Sequence, residues 1–174
     1  KTVKLWNRQG KLLQTLTDHK EAVNGIAFSL DGETIASASL DKTVKLWNRQ
    51  GKLLQTLTDH KEAVNGIAFS LDGETIATAG ADKTVKLWNR QGNLLETLIG
   101  HENWVYGIAF SPNGETIASA SYDKTVKLWN RQGKLLQTLT DHKEAVNGIA
   151  FSLDGETIAT AGADKTVKLW NRQG

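Results

Sequence analysis

The chain has no cysteine and no methionine, and only one proline and two tyrosines in 174 residues. Without thiols there is no disulfide, no thiolate nucleophile and no sulfur-ligated metal site. Together with a first segment that lacks a basic-then-apolar signal pattern, this points to a cytoplasmic protein. Apolar runs are short, so no membrane span and no membrane partner are expected. Charge of one sign is not in excess: 21 Lys and Arg stand against 19 Asp and Glu. The basic residues are scattered through the chain and not gathered into a patch, which argues against nucleic acid as a partner. Nor is there any apolar pattern of helical length. What remains is an ordinary globular composition, 39% hydrophobic and 23% charged.

The dominant feature is repetition. The string KTVKLWNRQG begins at Lys1, Lys42, Lys83, Lys124 and Lys165, a spacing of 41 residues. Residues 42–82 are identical to 124–164, and 1–41 differ from them only at Ser37, Ser39 and Leu40. The unit 83–123 is the distinct one, carrying Pro112, both tyrosines and Trp104, the one Trp outside the KLW triplets. Such near-identity marks recent amplification or design.

Each unit reads as four short strands. Val23–Phe28 is apolar and rich in small residues, and the Asp31-Gly32 pair after it is a tight turn, not a cation loop, because no ladder of acidic ligands surrounds it. Thr34–Ser39 follows, then a turn at Leu40-Asp41-Lys42. Thr43–Trp47 alternates β-branched or apolar with polar residues, Asn48–Gly51 turns it, and Lys52–Leu57 completes the set. A period near 40 residues with this pattern is that of four-stranded β-propeller blades.

The pattern His-x3-Val-x2-Ile-Ala-Phe-Ser-x2-Gly-Glu-Thr-Ile-Ala-[Ser/Thr]-x3-Asp-Lys-Thr-Val-Lys-Leu-Trp-Asn resembles the WD40 repeat over the whole chain. The terminal Trp-Asp of that family stands here as Trp-Asn (Asn7, Asn48, Asn89, Asn130, Asn171). Its Gly-His is intact only at Gly100-His101. The resemblance implies an all-β, WD40-like propeller of four-stranded antiparallel blades. It also implies, in each repeat, a buried hydrogen-bonded set of His, hydroxyl, Asp and Trp: His19, Ser37, Asp41 and Trp47; His60, Thr78, Asp82 and Trp88; His101, Ser119, Asp123 and Trp129; His142, Thr160, Asp164 and Trp170.

The same residues invite two chemical readings, a metal site and a Ser-His-Asp hydrolase. Both fail on spacing. Equivalent positions one blade apart lie around a ring, whereas metal ligands must converge within about 2.0–2.3 Å of one ion, and nothing resembles a nucleophile elbow. No enzyme activity, cofactor or metal is therefore expected. A protein-binding surface is the remaining alternative. Where other repeats have Lys-Glu-Ala-Val, the third has Glu102-Asn103-Trp104-Val105, and Tyr122 precedes its turn Asp. The resemblance places Glu102, Trp104 and Tyr122 on the top face, where exposed aromatics serve as binding hot spots, although Trp104 and Tyr106 could instead pack against a neighbouring blade.

With strands named a to d from the axis outward, residues 1–16 supply c and d. Complete blades occupy 23–57, 64–98 and 105–139, and a, b and c occupy 146–171. The expectation is a scaffold whose two chains share strands, a homodimer with an eight-bladed ring. One c strand is then surplus, and the copy at Lys1–Asn7 is expected to be the one displaced, because the copy at Lys165–Asn171 is tethered to its own a and b.

Overall fold

Short runs of Val, Ile, Leu and Thr cut by Asp-Gly and Arg-Gln-Gly can only extend and turn back. In the computed structural model, which describes residues 1–171, they do so seventeen times, with no helix among the described residues. The first sheet pairs β1 (Val3–Trp6) with β2 (Leu12–Leu16). Three four-stranded antiparallel sheets follow. They are β3 (Val23–Phe28), β4 (Thr34–Ser39), β5 (Val44–Asn48) and β6 (Leu53–Leu57); β7 (Val64–Phe69), β8 (Thr75–Gly80), β9 (Thr84–Asn89) and β10 (Leu94–Ile99); and β11 (Val105–Phe110), β12 (Thr116–Ser121), β13 (Val126–Asn130) and β14 (Leu135–Leu139). The last sheet has three strands, β15 (Val146–Phe151), β16 (Thr157–Gly162) and β17 (Val167–Asn171).

The turns explain two features of the repeat. After the Trp, the Asn48 carboxamide oxygen accepts the Lys52 N–H at 2.8 Å and the Asn48 carbonyl accepts the Gly51 N–H at 3.0 Å. Asn is thus a working turn residue, and Gly51 takes the φ of +82° that closes the turn. Between the second and third strands the left-handed position falls on a lysine, Lys42, Lys83, Lys124 or Lys165, with φ between 67° and 71°. For a non-glycine residue that conformation costs roughly 1–2 kcal/mol. The preceding Asp holds it by accepting the N–H and hydroxyl of the following Thr, at 3.0 and 2.6 Å for Asp41 and Thr43.

Consecutive sheets stack face to face, with the innermost strands β3, β7, β11 and β15 in a row. Ala36, Ala38, Val44, Leu46 and Leu57 of one sheet are buried against Val64, Ile76 and Trp88 of the next. The same packing recurs between the second and third sheets around Val85, Leu87, Ile117 and Trp129, and between the third and fourth around Val126, Leu128 and Ile158. Alanines on the second strands let the sheets approach closely.

The row is an open arc. The β1–β2 pair and the β15–β17 sheet remain separate sheets. On β17, Val167 and Leu169 are 70% and 73% exposed, whereas their equivalents Val85 and Leu87 are at 0% and 1%. At the other end β1 is in place, not displaced: Val3 and Leu16 are buried against Ile35 and Trp47, and Lys1 pairs with Glu21 at 3.5 Å. Both copies of the third strand are therefore seated within one chain, and any competition between them arises only where a second chain brings them together.

Candidate functional site

The structure brings the four residues of each set together at the edge of the core. In the second sheet, the Trp88 indole N–H donates to the Thr78 hydroxyl at 2.9 Å, and that hydroxyl lies 2.7 Å from His60 Nε2. His60 Nδ1 is 2.8 Å from Asp82 Oδ2, which also accepts the Lys61 N–H at 2.9 Å. An ionised carboxylate only accepts, so the imidazole carries a proton on Nδ1, and with the ring neutral the Thr hydroxyl donates to Nε2. Every group is satisfied in one direction from indole to carboxylate. Burial alone would push Asp82 up, but its bonds with His60, the Thr84 hydroxyl and the Lys61 amide outweigh burial and hold it well below the usual carboxylate range.

The other sets repeat this. His19 meets Ser37 and Asp41 at 2.8 Å each, His101 meets Ser119 and Asp123 at 2.7 Å each, and His142 meets Thr160 and Asp164 at 2.8 Å each. Trp47, Trp129 and Trp170 donate to the three hydroxyls at 2.8–2.9 Å. No buried side-chain polar atom among the described residues lacks a partner. Trp6, with no second strand beside β1, is 56% exposed.

This arrangement is chemically closed. Ser37, Thr78, Ser119 and Thr160 are buried and already shared between an indole and an imidazole, so no substrate reaches them. Among the described residues no three His, Asp or Glu side chains converge as metal ligands. The sets instead clamp the loop entering each sheet to that sheet's second and third strands. Losing one partner strands a buried polar group, at about 1–3 kcal/mol.

Two features of the sets escape a first reading of the sequence. In three sheets a lysine on the third strand, Lys45, Lys86 or Lys168, reaches the Asp before the His, at 2.6–2.7 Å. Lys127 has Gly100 at that place and, among the described residues, keeps only Thr138, at 3.1 Å. The second is a size compensation. Thr78 and Thr160 occur with Gly80 and Gly162, whereas Ser37 and Ser119 occur with Ser39 and Ser121. A Cβ added at Gly80 would meet His60 Nδ1 at 2.5 Å. Where the glycine is present the His ring lies at 49° to its Trp, and where serine is present at 62°. The ring leans into the space the glycine leaves. The serines use theirs otherwise, Ser39 donating to the Ala22 carbonyl and Ser121 to that of Trp104, both at 2.9 Å.

On the loop side of the third complete sheet, Trp104, Tyr106 and Tyr122 form one aromatic cluster. Ring centroids are 5.8 Å apart for Trp104 and Tyr122, 5.3 Å for the two tyrosines and 6.5 Å for Trp104 and Tyr106. Trp104 and Tyr122 are 46% and 45% exposed, and Glu102 beside them is exposed as well. Tyr106, which the sequence offered only as a packing residue beside Trp104, is the third member of the cluster. Its signal is the replacement of the Asn found at Asn24, Asn65 and Asn147.

Stacked four-stranded antiparallel sheets, each locked by its own His-hydroxyl-Asp-Trp set, define a tandem-blade protein of the propeller type. The chain belongs to the WD40 family: the profile of that family, described as WD domain, G-beta repeat, matches residues 10–48, 51–89, 92–130 and 133–171. A search of curated proteins finds no significant match.

The size compensation is testable by a double-mutant cycle in chemical denaturation. Gly80→Ser alone drives a Cβ into the His60 ring and is expected to lower stability by about 1–3 kcal/mol. Adding Thr78→Ser, which rebuilds the Ser37/Ser39 pattern, is expected to recover at least half of the loss. Additive effects of the two substitutions would show that the positions are not coupled.

Proposed function

We propose that the chain is a non-catalytic scaffold, of amplified or designed origin, that completes a propeller by sharing strands with a second copy in an eight-bladed ring. The observation that carries this reading is the exposed apolar face of β17. Val167 and Leu169 lie open to water there, although the same residues are buried wherever another blade follows. Covering side chains of this kind is worth roughly 1.5–3 kcal/mol each, and an open strand edge is a template for pairing. The β1–β2 pair of a second copy has the sequence and length to fill the fourth-strand place beside β15–β17. Since β1 and β17 carry the same letters, one of them gives up its slot at each junction. The expected particle is about 38 kDa, twice the 19.0 kDa of one chain. Light scattering that returns the single-chain mass at every concentration would rule out this assembly.

A second reading rests on the Trp104, Tyr106 and Tyr122 cluster, a half-exposed aromatic patch on a rigid blade and absent from the other repeats. It makes the third repeat a docking surface for a protein partner, with Trp104 as the anchor. Trp104→Ala is then expected to weaken binding to any captured partner at least tenfold while leaving the particle mass unchanged. Undiminished binding by that variant would remove the patch from consideration.

A further inference from the structure

Contacts between neighbouring sheets recur at fixed spacing, and each contact that recurs is left half-made at the two free faces of the arc. Arg90, in the turn after β9, reaches back to Asp31 in the first turn of the preceding sheet, at 2.5 Å. Arg131 does the same to Asp72 at 2.8 Å and adds Thr75 at 3.0 Å. One step earlier in the series stands Arg49, whose preceding sheet, β1–β2, has no such turn; among the described residues it meets only Glu33 of its own sheet, at 3.7 Å. In the third complete sheet the place of Asp31 and Asp72 is taken by Asn113, and in the last sheet by Asp154, which is bound to Ser152 and the Glu156 amide of its own turn and meets no arginine among the described residues.

The innermost strands tell the same story in neutral groups. The Asn24 amide donates to the Val64 carbonyl at 3.2 Å, and Asn65 donates to that of Val105 at 3.0 Å. Asn147 has no such acceptor, and the Val23 carbonyl has no such donor, among the described residues. The glycines agree. A Cβ at Gly25 or Gly107 would meet the carbonyl oxygen of Asn65 or Asn147 on the next sheet at 3.0 and 3.2 Å, whereas at Gly148 it would meet only Ala161 of its own sheet. The space beside β15 has the shape of a further innermost strand.

We infer that the two free faces are the two halves of one interface, in which Asp154 takes Arg49 of a second copy and Asn147 donates to the Val23 carbonyl of that copy. This rests on the strand-sharing reading above and adds the pairs that fix its register. The pairing is head to tail, and in a closed pair of chains it occurs twice.

Sedimentation equilibrium on the 174-residue chain tests it. Asp154→Asn keeps the turn, since Asn113 already accepts the Ser111 hydroxyl at 2.6 Å and the Glu115 amide at 3.1 Å in the third repeat. It removes the charge that Arg49 needs. Asp154→Asn and Arg49→Ala are each expected to raise the dimer Kd about tenfold, a modest ion pair counted at two junctions. The combined variant is expected to stay within threefold of either single one, and Asp72→Asn, whose arginine lies in the same chain, within twofold of the unsubstituted protein. Single variants that leave Kd within twofold, additive losses, or an equal loss from Asp72→Asn would each overturn the inference while self-assembly stands. An unsubstituted chain that never associates would instead refute the strand-sharing reading itself.

Discussion

A single blade of this protein cannot bury itself. Each four-stranded sheet is apolar on both faces, and the core consists almost entirely of contacts between one sheet and the next, Ala36, Val44 and Leu46 of one against Val64, Ile76 and Trp88 of its neighbour. Stability is therefore a property of the stack, as in other repeat architectures where neighbours supply what one unit lacks. The exposed Val167 and Leu169 at one end, and the half-buried β1–β2 pair at the other, are consequences of that constraint.

Within a blade, the polar sets do what apolar packing cannot. The loop before each innermost strand would otherwise be free to move, and the His-hydroxyl-Trp and His-Asp bonds tie it to strands two and three of the same sheet. The carboxylate that ends each chain of bonds also shapes the turn bearing the left-handed lysine. One aspartate thus fixes loop, turn and imidazole tautomer together. The groups have no capacity left over for chemistry, which is why residues that resemble a hydrolase triad act as a structural clamp.

Much of this could be read from the letters. The strand pattern was legible because the turns are chemically marked, and the differences at strand ends have local causes. Thr43 looks like the start of a strand, yet β6 ends at Leu57 and gives it no ladder partner, so β5 starts at Val44, whereas Thr84, paired with Ile99 of the longer β10, does begin its strand. Asn48 looks like pure turn, yet it still pairs with Thr34 across the ladder. Other features were illegible. Lysine is not a residue type that signals a left-handed backbone, and nothing in Lys42 or Lys83 announces their positive φ. The tie between Arg90 and Asp31 spans two blades and shows only once the sheets are stacked. The linkage of Thr78 with Gly80, and of Ser37 with Ser39, is visible in the sequence as a pattern, but its reason, the tilt of the His ring, is not.

A crystal structure of the assembled particle tests most directly whether the two free faces of this arc are complementary and meet one another in a second chain. The expected result is eight blades around one axis, related by a two-fold, with Asp154 of each chain against Arg49 of the other. A ring of four blades closed within a single chain, or separate arcs with Val167 and Leu169 still open to solvent, would contradict it.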